Sequence, residues 1–208
     1  MTKIDFKKQL KHLYNPSKKE FTVVEVPAMQ FLMVDGQGNP NTAQEYQDAL
    51  EALYAVAYKI KFNSKKQLAK DYTVPPLEGL WWADSMDTFT HLRDKSQWKW
   101  TMMIMQPDWV TPAMFDEACA LVKKQKDPAA LAKVRLESYA EGVSVQIMHI
   151  GSYDDETPVL DKLHHEFMPA NGWTFNGKHH EIYLSDPRRV APEKLKTVLR
   201  QPVVQQVP

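Results

Sequence analysis

The spacing of apolar residues in this chain alternates between the two-residue period of strands and the longer period of helices. The segments follow one another as strand, helix, strand, strand, and the same order occurs a second time. This alternation excludes an all-helical or an all-strand domain. It predicts an α+β fold in which two similar units follow each other along the chain.

The first series begins with β-rich runs at residues 21–26 and 29–34, which end in a dense turn signal. Thr42, with Glu45 three residues later, has the spacing of a capping box and predicts the start of a helix. The remaining predicted segments are extended runs at 72–82 and 98–106, helices at 111–125 and 128–139, a strand at 143–150, a helix ending near Met168, and extended runs at 173–185 and 195–203.

Glu78 and Glu181 occupy the same place in the two series, because each lies near the start of an apolar strand that follows a helix. We therefore expect the two glutamates to be pseudo-equivalent about an internal two-fold axis. Two such units packed face to face would leave a groove between their sheets. The predicted boundaries within a single domain of residues 1–208 are a helical arm at 1–19, a first repeat at 20–107, connecting helices at 108–140 and a second repeat at 141–208.

The charges of the chain balance, with 26 basic and 26 acidic residues, so no net field attracts nucleic acid. The lysine-rich residues 1–19 are a local exception, which we interpret as a solvated helix or a docking arm. No stretch approaches the ~20 apolar residues that span a bilayer, and residues 1–19 lack the apolar core of a signal peptide. We expect a cytoplasmic protein with neither a nucleic-acid nor a membrane partner.

Cys119 is the only cysteine, which excludes an intramolecular disulfide and a thiolate metal cluster. It lies in a predicted amphipathic helix, so we interpret it as a small buried thiol rather than a nucleophile. The two histidine doublets of the second half do not chelate a metal by themselves, since adjacent side chains diverge in strands and in helices. No metal or other cofactor is expected.

Strand alternation separates two sets of side chains in the second half. Glu181 and Tyr183 point to one face, which we expect to line the groove, while His180 and Ile182 are expected to pack under helices. A carboxylate flanked by aromatic rings can neutralise a lipophilic cation, or act as a general base once burial raises its pKa. The alternative is a structural glutamate near the surface that forms an ion pair with one of the arginines at positions 188 and 189.

Four segments carry a resemblance that is far more specific together than singly. Through these segments the chain resembles the GyrI-like small-molecule-binding proteins. Those proteins share their domain with the effector-binding parts of multidrug-sensing transcription activators. The resemblance covers almost the whole chain. The segments are 76–82 (PLEGLWW), 98–107 (WKWTMMIMQP), Glu141-Gly142 with 146–153 (QIMHIGSY), and 177–189 (GKHHEIYLSDPRR).

The resemblance implies tandem SHS2-type units, each strand-helix-strand-strand, with a ligand cleft between them and a central glutamate at Glu181. It also implies a division of function among stand-alone members. Some bind lipophilic, aromatic or cationic compounds, and others hydrolyse the strained cyclopropane ring of DNA-alkylating natural products, which is a detoxification reaction. In that reaction Glu181 would orient or deprotonate water, and Tyr183 would donate to the oxygen that accepts charge. The residues expected to contact the ligand are Glu78, Trp82, Trp109, Tyr139, Trp173, Glu181 and Tyr183.

Binding of a hydrophobic, aromatic or cationic small molecule is thus the predicted function, with cyclopropane hydrolysis as the enzymatic alternative. A protein that acts on a macromolecular partner, such as a gyrase modulator, is less favoured by the neutral net charge and the tryptophan-rich sequence. A drug-sensing activator is the weakest alternative, because the sequence contains no DNA-binding motif. Neither the natural ligand nor the oligomeric state follows from these residues.

Overall fold

The structure, a computed structural model, describes residues 2–84 and 95–206. Residues 85–94 of the predicted first repeat therefore lie outside the described residues. No helix in the described ranges is long and apolar enough to cross a membrane. The chain divides into two compact units: Met1–Gln9 with Met29–Tyr139 form unit 1, and Leu10–Ala28 with Ala140–Pro208 form unit 2.

Helices and antiparallel strands are mixed along the chain, which confirms the α+β class. A 3-10 turn at Tyr153–Glu156 and a π-helical turn at Leu163–Phe167 flank the fifth helix named below. The elements in chain order are α1 (Phe6–Gln9), α2 (Lys11–Tyr14), β1 (Thr22–Val26), β2 (Met29–Gln37), α3 (Gln44–Leu68), β3 (Leu77–Trp82), β4 (Lys99–Gln106), α4 (Pro112–Gln125), β5 (Arg135–Tyr139), β6 (Gly142–Ile150), α5 (Thr157–Lys162), α6 (Met168–Ala170), β7 (Trp173–Phe175), β8 (His179–Tyr183) and β9 (Lys196–Gln205).

Unit 1 is built on an antiparallel sheet in the order β5-β2-β4-β3. The long helix α3 packs on β2 and β4, because its apolar residues recur at helical spacing. Trp81 of β3 contacts Tyr46 of α3 on this face. Glu78, three residues before Trp81, lies on the opposite face of β3 and is fully buried. The buried apolar stripe of α3 consists of Ala49, Ala52, Leu53, Val56, Ala57 and Ile60.

Two local predictions in unit 1 are wrong. The second predicted connecting helix, over residues 128–139, is instead a 3-10 turn at Leu131–Lys133 followed by β5. The backbone of β5 pairs with β2, so tertiary hydrogen bonds to an adjacent strand outweigh the local helical pattern. Thr42 does not cap α3, which begins at Gln44 with Ala43 as its N-cap. Glu45 accepts a hydrogen bond from the Gln37 backbone N–H and pairs with Lys133.

Unit 2 has a sheet in the order β1-β6-β9-β8, with the short β7 also paired to β9. The predicted boundaries place β1 in the first repeat, but it pairs with β6 and lies in unit 2. One face of this sheet is covered by the helical segment between β6 and β7. The apolar cluster on that face consists of Val145, Leu163, Met168 and Val203, with Phe21, Phe167 and Trp173 packed against it.

A buried charged network lies on the other face of the unit 2 sheet. Arg200 donates to Glu141 Oε2 at 3.1 Å, to Gln146 Oε1 at 3.0 Å and to the Leu13 carbonyl at 2.8 Å. Oε1 of Glu141 lies 3.0 Å from Nδ1 of His180, which is fully buried. Burial alone would raise the pKa of Glu141, but the partnership with His180 and Arg200 outweighs it and lowers the pKa to about 2.

Glu141→Gln should lower the free energy of unfolding near neutral pH by about 3–5 kcal/mol, because it leaves the buried Arg200 guanidinium without its counter-charge. Since the folded pKa of Glu141 is depressed, its contribution is complete above its ordinary pKa of 4.5 and is lost as the pH falls toward about 2. Urea denaturation at several pH values, with the exposed Glu20→Gln as control, measures both effects. Equal stability of Glu141→Gln and the parent at neutral pH would contradict the prediction.

Candidate functional site

Strand β8 presents three side chains with polar or titratable groups on one face. His179, Glu181 and Tyr183 alternate with His180 and Ile182, and His180 points into the charged network on the opposite face. The predicted pairing of Glu181 and Tyr183 on one face is therefore confirmed. The expectation that helices cover only the His180 face is wrong, because the helical segment after β6 packs on the Glu181 face.

Both carboxylate oxygens of Glu181 face a side chain of the same strand. The Tyr183 hydroxyl donates to Oε2 at 2.7 Å. Nε2 of His179 lies 3.5 Å from Oε1. The Glu181 side chain is 14% exposed and that of His179 is 4% exposed, so the carboxylate is largely desolvated. Within the described part of the chain, no lysine or arginine forms an ion pair with Glu181.

A tight turn after β6 brings Tyr153 against Tyr183, with ring centroids 5.7 Å apart and the rings edge to face. Gly151 opens the turn with φ +149°, and Nε2 of His149 contacts the Ser152 carbonyl at 3.0 Å. Ser152 donates to Asp155 at 2.7 Å and so stabilises the next turn. Burial, together with the nearby negative charge of Glu181, raises the pKa of Tyr153 to about 12. Its hydroxyl is therefore protonated at neutral pH.

The π-helical turn places His164 beside the same strand face. Its ring lies 6.4 Å from that of His179 and 4.9 Å from that of Phe175, edge to face in both cases. His164 is buried, and burial together with the neighbouring His179 lowers its pKa to about 3. It is therefore neutral at physiological pH.

The other residues predicted to contact a ligand lie in both units. Trp82 pairs with Lys99 across β3 and β4, and Tyr139 ends β5 opposite Met29. Trp109 donates to Ser64 at 3.0 Å and packs against the rings of Phe6 and Tyr72 in unit 1. Trp173 of unit 2 packs against Phe167. The role of these four residues as ligand contacts stays a prediction.

The expected equivalence of Glu78 and Glu181 is wrong. Glu78 lies on the face of its sheet that points away from α3, whereas Glu181 lies on the face that its own helical segment covers. Strand alternation means that a shift of one residue moves a side chain to the other face. The two glutamates therefore differ in register, although the strand order β2-β4-β3 in unit 1 matches β6-β9-β8 in unit 2.

Three residues of this site are missing from the set predicted by sequence: His179, Tyr153 and His164. The two-residue period that places Glu181 and Tyr183 on one face also places His179 there, so strand alternation alone could have predicted this residue. Tyr153 and His164 come from a turn and a helical segment distant in sequence, and no local pattern indicates them. The alternative ion pair of Glu181 with nearby arginines is replaced by pairs of both Arg188 and Arg189 with Asp186.

This arrangement suits acid–base chemistry or the binding of a cation. A largely buried carboxylate attracts positive charge, and the Tyr183 hydroxyl beside it can donate a hydrogen bond. No cluster of three His, Cys, Asp or Glu side chains in the described ranges has the geometry to hold a metal ion.

Residues 19–204 match the sequence family of the GyrI-like small-molecule-binding domain. An uncharacterized conserved protein from Listeria innocua is 43% identical, with a TM-score of 0.89 over 97% of this chain and 100% of that one. A protein from Listeria innocua described as a hydrolase is 41% identical, with a TM-score of 0.84 and the same coverage. The C-terminal domain of EcmrR shares the fold alone, at 10% identity and a TM-score of 0.56 over 89% of this chain and 98% of that one. No functionally curated protein matches the chain.

Gly151→Ala should destabilise the protein by about 2–3 kcal/mol, because an L side chain is strained at this φ and the new Cβ would lie 3.1 Å from His149. Gly142→Ala is the matched control, since Gly142 also has positive φ but nothing within 4 Å of a new Cβ. It should cost only about 1–2 kcal/mol. Urea denaturation gives both values, and the nuclear Overhauser effect between Tyr153 and Tyr183 reports the turn itself. Equal costs would mean that His149 does not limit this turn.

Proposed function

The chain belongs to the GyrI-like small-molecule-binding family, and from this premise we propose that it binds a flat hydrophobic molecule, aromatic or cationic, at the Glu181 face of β8. The observation that carries the proposal is the position of Glu181. Its carboxylate is largely buried, lies beside Tyr183 and Tyr153, and has no lysine or arginine partner among the described residues. Such a group leaves its charge for a ligand to neutralise.

A delocalised organic cation fits this environment better than a small hydrated ion. Its charge is spread over a flat ring system, so it loses little hydration when it binds against aromatic side chains. Tyr153 and Tyr183 provide ring surface next to the carboxylate, with their centroids 5.7 Å apart. The ligand would therefore gain ring contacts and charge neutralisation at the same place.

Glu181→Gln should weaken the binding of a rhodamine-type cationic dye by about 1–3 kcal/mol, because it removes the charge while keeping the shape of the side chain. Titration of the dye against intrinsic tryptophan fluorescence measures the affinity. Glu193→Gln, at an exposed position in the same unit, is the control for a general change in net charge. A neutral dye of similar shape should bind the parent and Glu181→Gln equally. If the cationic dye also binds both equally, the carboxylate has no part in recognition.

Hydrolysis is the second candidate function, and two observations favour it. The Tyr183 hydroxyl donates to Glu181 at 2.7 Å, which places a proton donor and a base in direct contact. Two relatives from Listeria innocua that are 41% and 42% identical to the chain are described as hydrolases. We propose that the substrate class is a strained cyclopropane conjugated to a dienone, as the family resemblance implies.

The reaction balances with these two side chains and one water. Glu181 accepts a proton from water as the water oxygen bonds to the ring methylene carbon. The cyclopropane C–C bond breaks, and its electron pair moves to the conjugated carbonyl oxygen, which becomes a phenolate. Tyr183 turns from Glu181 to this oxygen and donates its proton. The proton on Glu181 then returns to Tyr183 through their hydrogen bond, so that the net change is addition of one water.

Tyr183→Phe and Glu181→Gln should each reduce turnover of a cyclopropane-containing DNA alkylator by roughly 100-fold or more, the usual scale for a general acid or base. Tyr183→Phe should keep dye binding, since the ring that contacts Tyr153 remains. The assay is mass spectrometry of the product, which gains the mass of one water. Protection of the compound in proportion to protein, without a hydrated product, would show that the chain binds but does not hydrolyse it.

We further propose that the two units form a duplicated strand-helix-strand-strand architecture of the SHS2 type. The shared strand order in the two units supports this proposal, although the glutamates differ in register. We also propose a cytoplasmic location, because the single cysteine, Cys119, cannot form the intramolecular disulfides common in exported proteins. Cys119 is only partly buried, not fully buried as expected. A drug- or toxin-binding role in detoxification follows from the proposed substrate class.

A further inference from the structure

Two neighbours on its own strand face the Glu181 carboxylate, one through a hydrogen bond and one through a longer contact. Tyr183 donates to Oε2 at 2.7 Å, and Nε2 of His179 lies 3.5 Å from Oε1. The His179 side chain is 4% exposed, so its surroundings rather than solvent determine where its ring points. The position of the His179 ring therefore shapes the surroundings of Oε1 of Glu181.

The His179 ring is contacted by His164 from the π-helical turn Leu163–Phe167. A π-helical turn is rare and inserts an extra residue into a helix, and such turns often occur at functional sites. Here it places the His164 ring between Phe175 of β7 and His179 of β8, at centroid distances of 4.9 Å and 6.4 Å. The turn thus sets the position of the His164 ring, which contacts the His179 ring next to Glu181.

Packing alone does not explain an imidazole at position 164. Nε2 of His164 is buried and has no hydrogen-bond partner within the described residues. An unpaired buried polar atom is unfavourable, and a phenylalanine would fill the same space without that cost. The ring is neutral at physiological pH, because its pKa is lowered to about 3, so it does not compete with a ligand cation for Glu181. The presence of an uncharged imidazole at position 164, next to His179, therefore calls for a functional explanation.

We propose that His179 is a positioning residue for Glu181, and that His164, placed by the π-helical turn, orients the His179 imidazole against the carboxylate. The inference rests on the proposed role of Glu181 and assigns the groups that direct it. With Oε2 facing Tyr183 and Oε1 facing His179, the remaining lone pairs of the carboxylate have a fixed direction toward a ligand or water. A base that is fixed in direction reacts with fewer misaligned encounters.

The first test does not depend on any ligand. In a long-range 1H–15N spectrum of the labelled protein, Glu181→Gln should shift the ring nitrogen signals of His179, because the group facing Nε2 loses its charge. His149, whose Nε2 contacts the Ser152 carbonyl, is the internal control and should not move. Unchanged His179 signals in Glu181→Gln would overturn the proposal.

The second test uses His179→Phe, which keeps a ring but loses the polar nitrogen, and His179→Gln, which keeps a donor. With the cyclopropane substrate, His179→Phe should lower kcat by roughly 10- to 100-fold with KM within about threefold, and His179→Gln should recover part of the loss.

His164→Phe should lower kcat about tenfold, whereas His165→Phe, at an exposed position on the same turn, should not. If no substrate is turned over, the His179 ring nitrogen signals in Glu181→Gln decide the proposal without it.

The outcomes separate this inference from the proposed function. If Glu181→Gln weakens dye binding but His179→Phe and His164→Phe behave like the parent, the site stands and the positioning role is wrong. If Glu181→Gln leaves dye binding and turnover unchanged, the proposed function fails, and the His179 signals still decide whether the two side chains interact. Should His179→Phe not fold, the spectrum of Glu181→Gln and the kinetics of His164→Phe keep the proposal testable.

Discussion

The buried ion pair between Glu141 and Arg200 is the interaction on which unit 2 depends. Burial of two charges costs several kcal/mol for each ion, and only a nearly complete set of hydrogen bonds offsets that cost. Here Arg200 also bonds Gln146 and the Leu13 carbonyl, and Glu141 also bonds His180. The network therefore joins the N-terminal segment to β6, β8 and β9. Because it holds His180 on one face of β8, strand alternation places the neighbouring residues on the opposite face, where the candidate site lies.

The sequence is informative wherever the deciding rule is local. Alternation along a strand depends on no distant residue, so the sequence alone is enough to place Glu181 and Tyr183 on one face. The α+β class follows in the same way from changes of period. The charged network does not follow from the sequence, because its partners are 39 and 59 residues apart, and no periodicity connects Glu141 with His180 or Arg200. In the sequence, Glu141-Gly142 is recognisable only as part of a family motif, without a physical role.

The two failed predictions in unit 1 share one cause, which is competition between local pattern and tertiary hydrogen bonding. Residues 135–139 have a helical pattern, yet they pair with β2, whose edge offers unpaired backbone groups. Glu45 has the spacing to close a capping box with Thr42, yet it accepts a bond from Gln37 and pairs with Lys133 instead. The equivalence of Glu78 with Glu181 fails for a different reason. Position along a strand can be estimated to within a residue or two, and a shift of one residue changes the face.

The geometry at Glu181 bears on the choice between binding and hydrolysis. A counter-ion for a delocalised cation needs charge and a desolvated setting, but little direction, because the attraction falls off smoothly with distance. A general base needs direction as well, since it must meet one proton along a defined line. Glu181 faces Tyr183 with one oxygen and His179 with the other, and β8 is itself fixed through His180. This degree of direction exceeds what neutralisation of a ligand requires, and it agrees with the role of base that we propose for Glu181 in addition to that of a counter-charge.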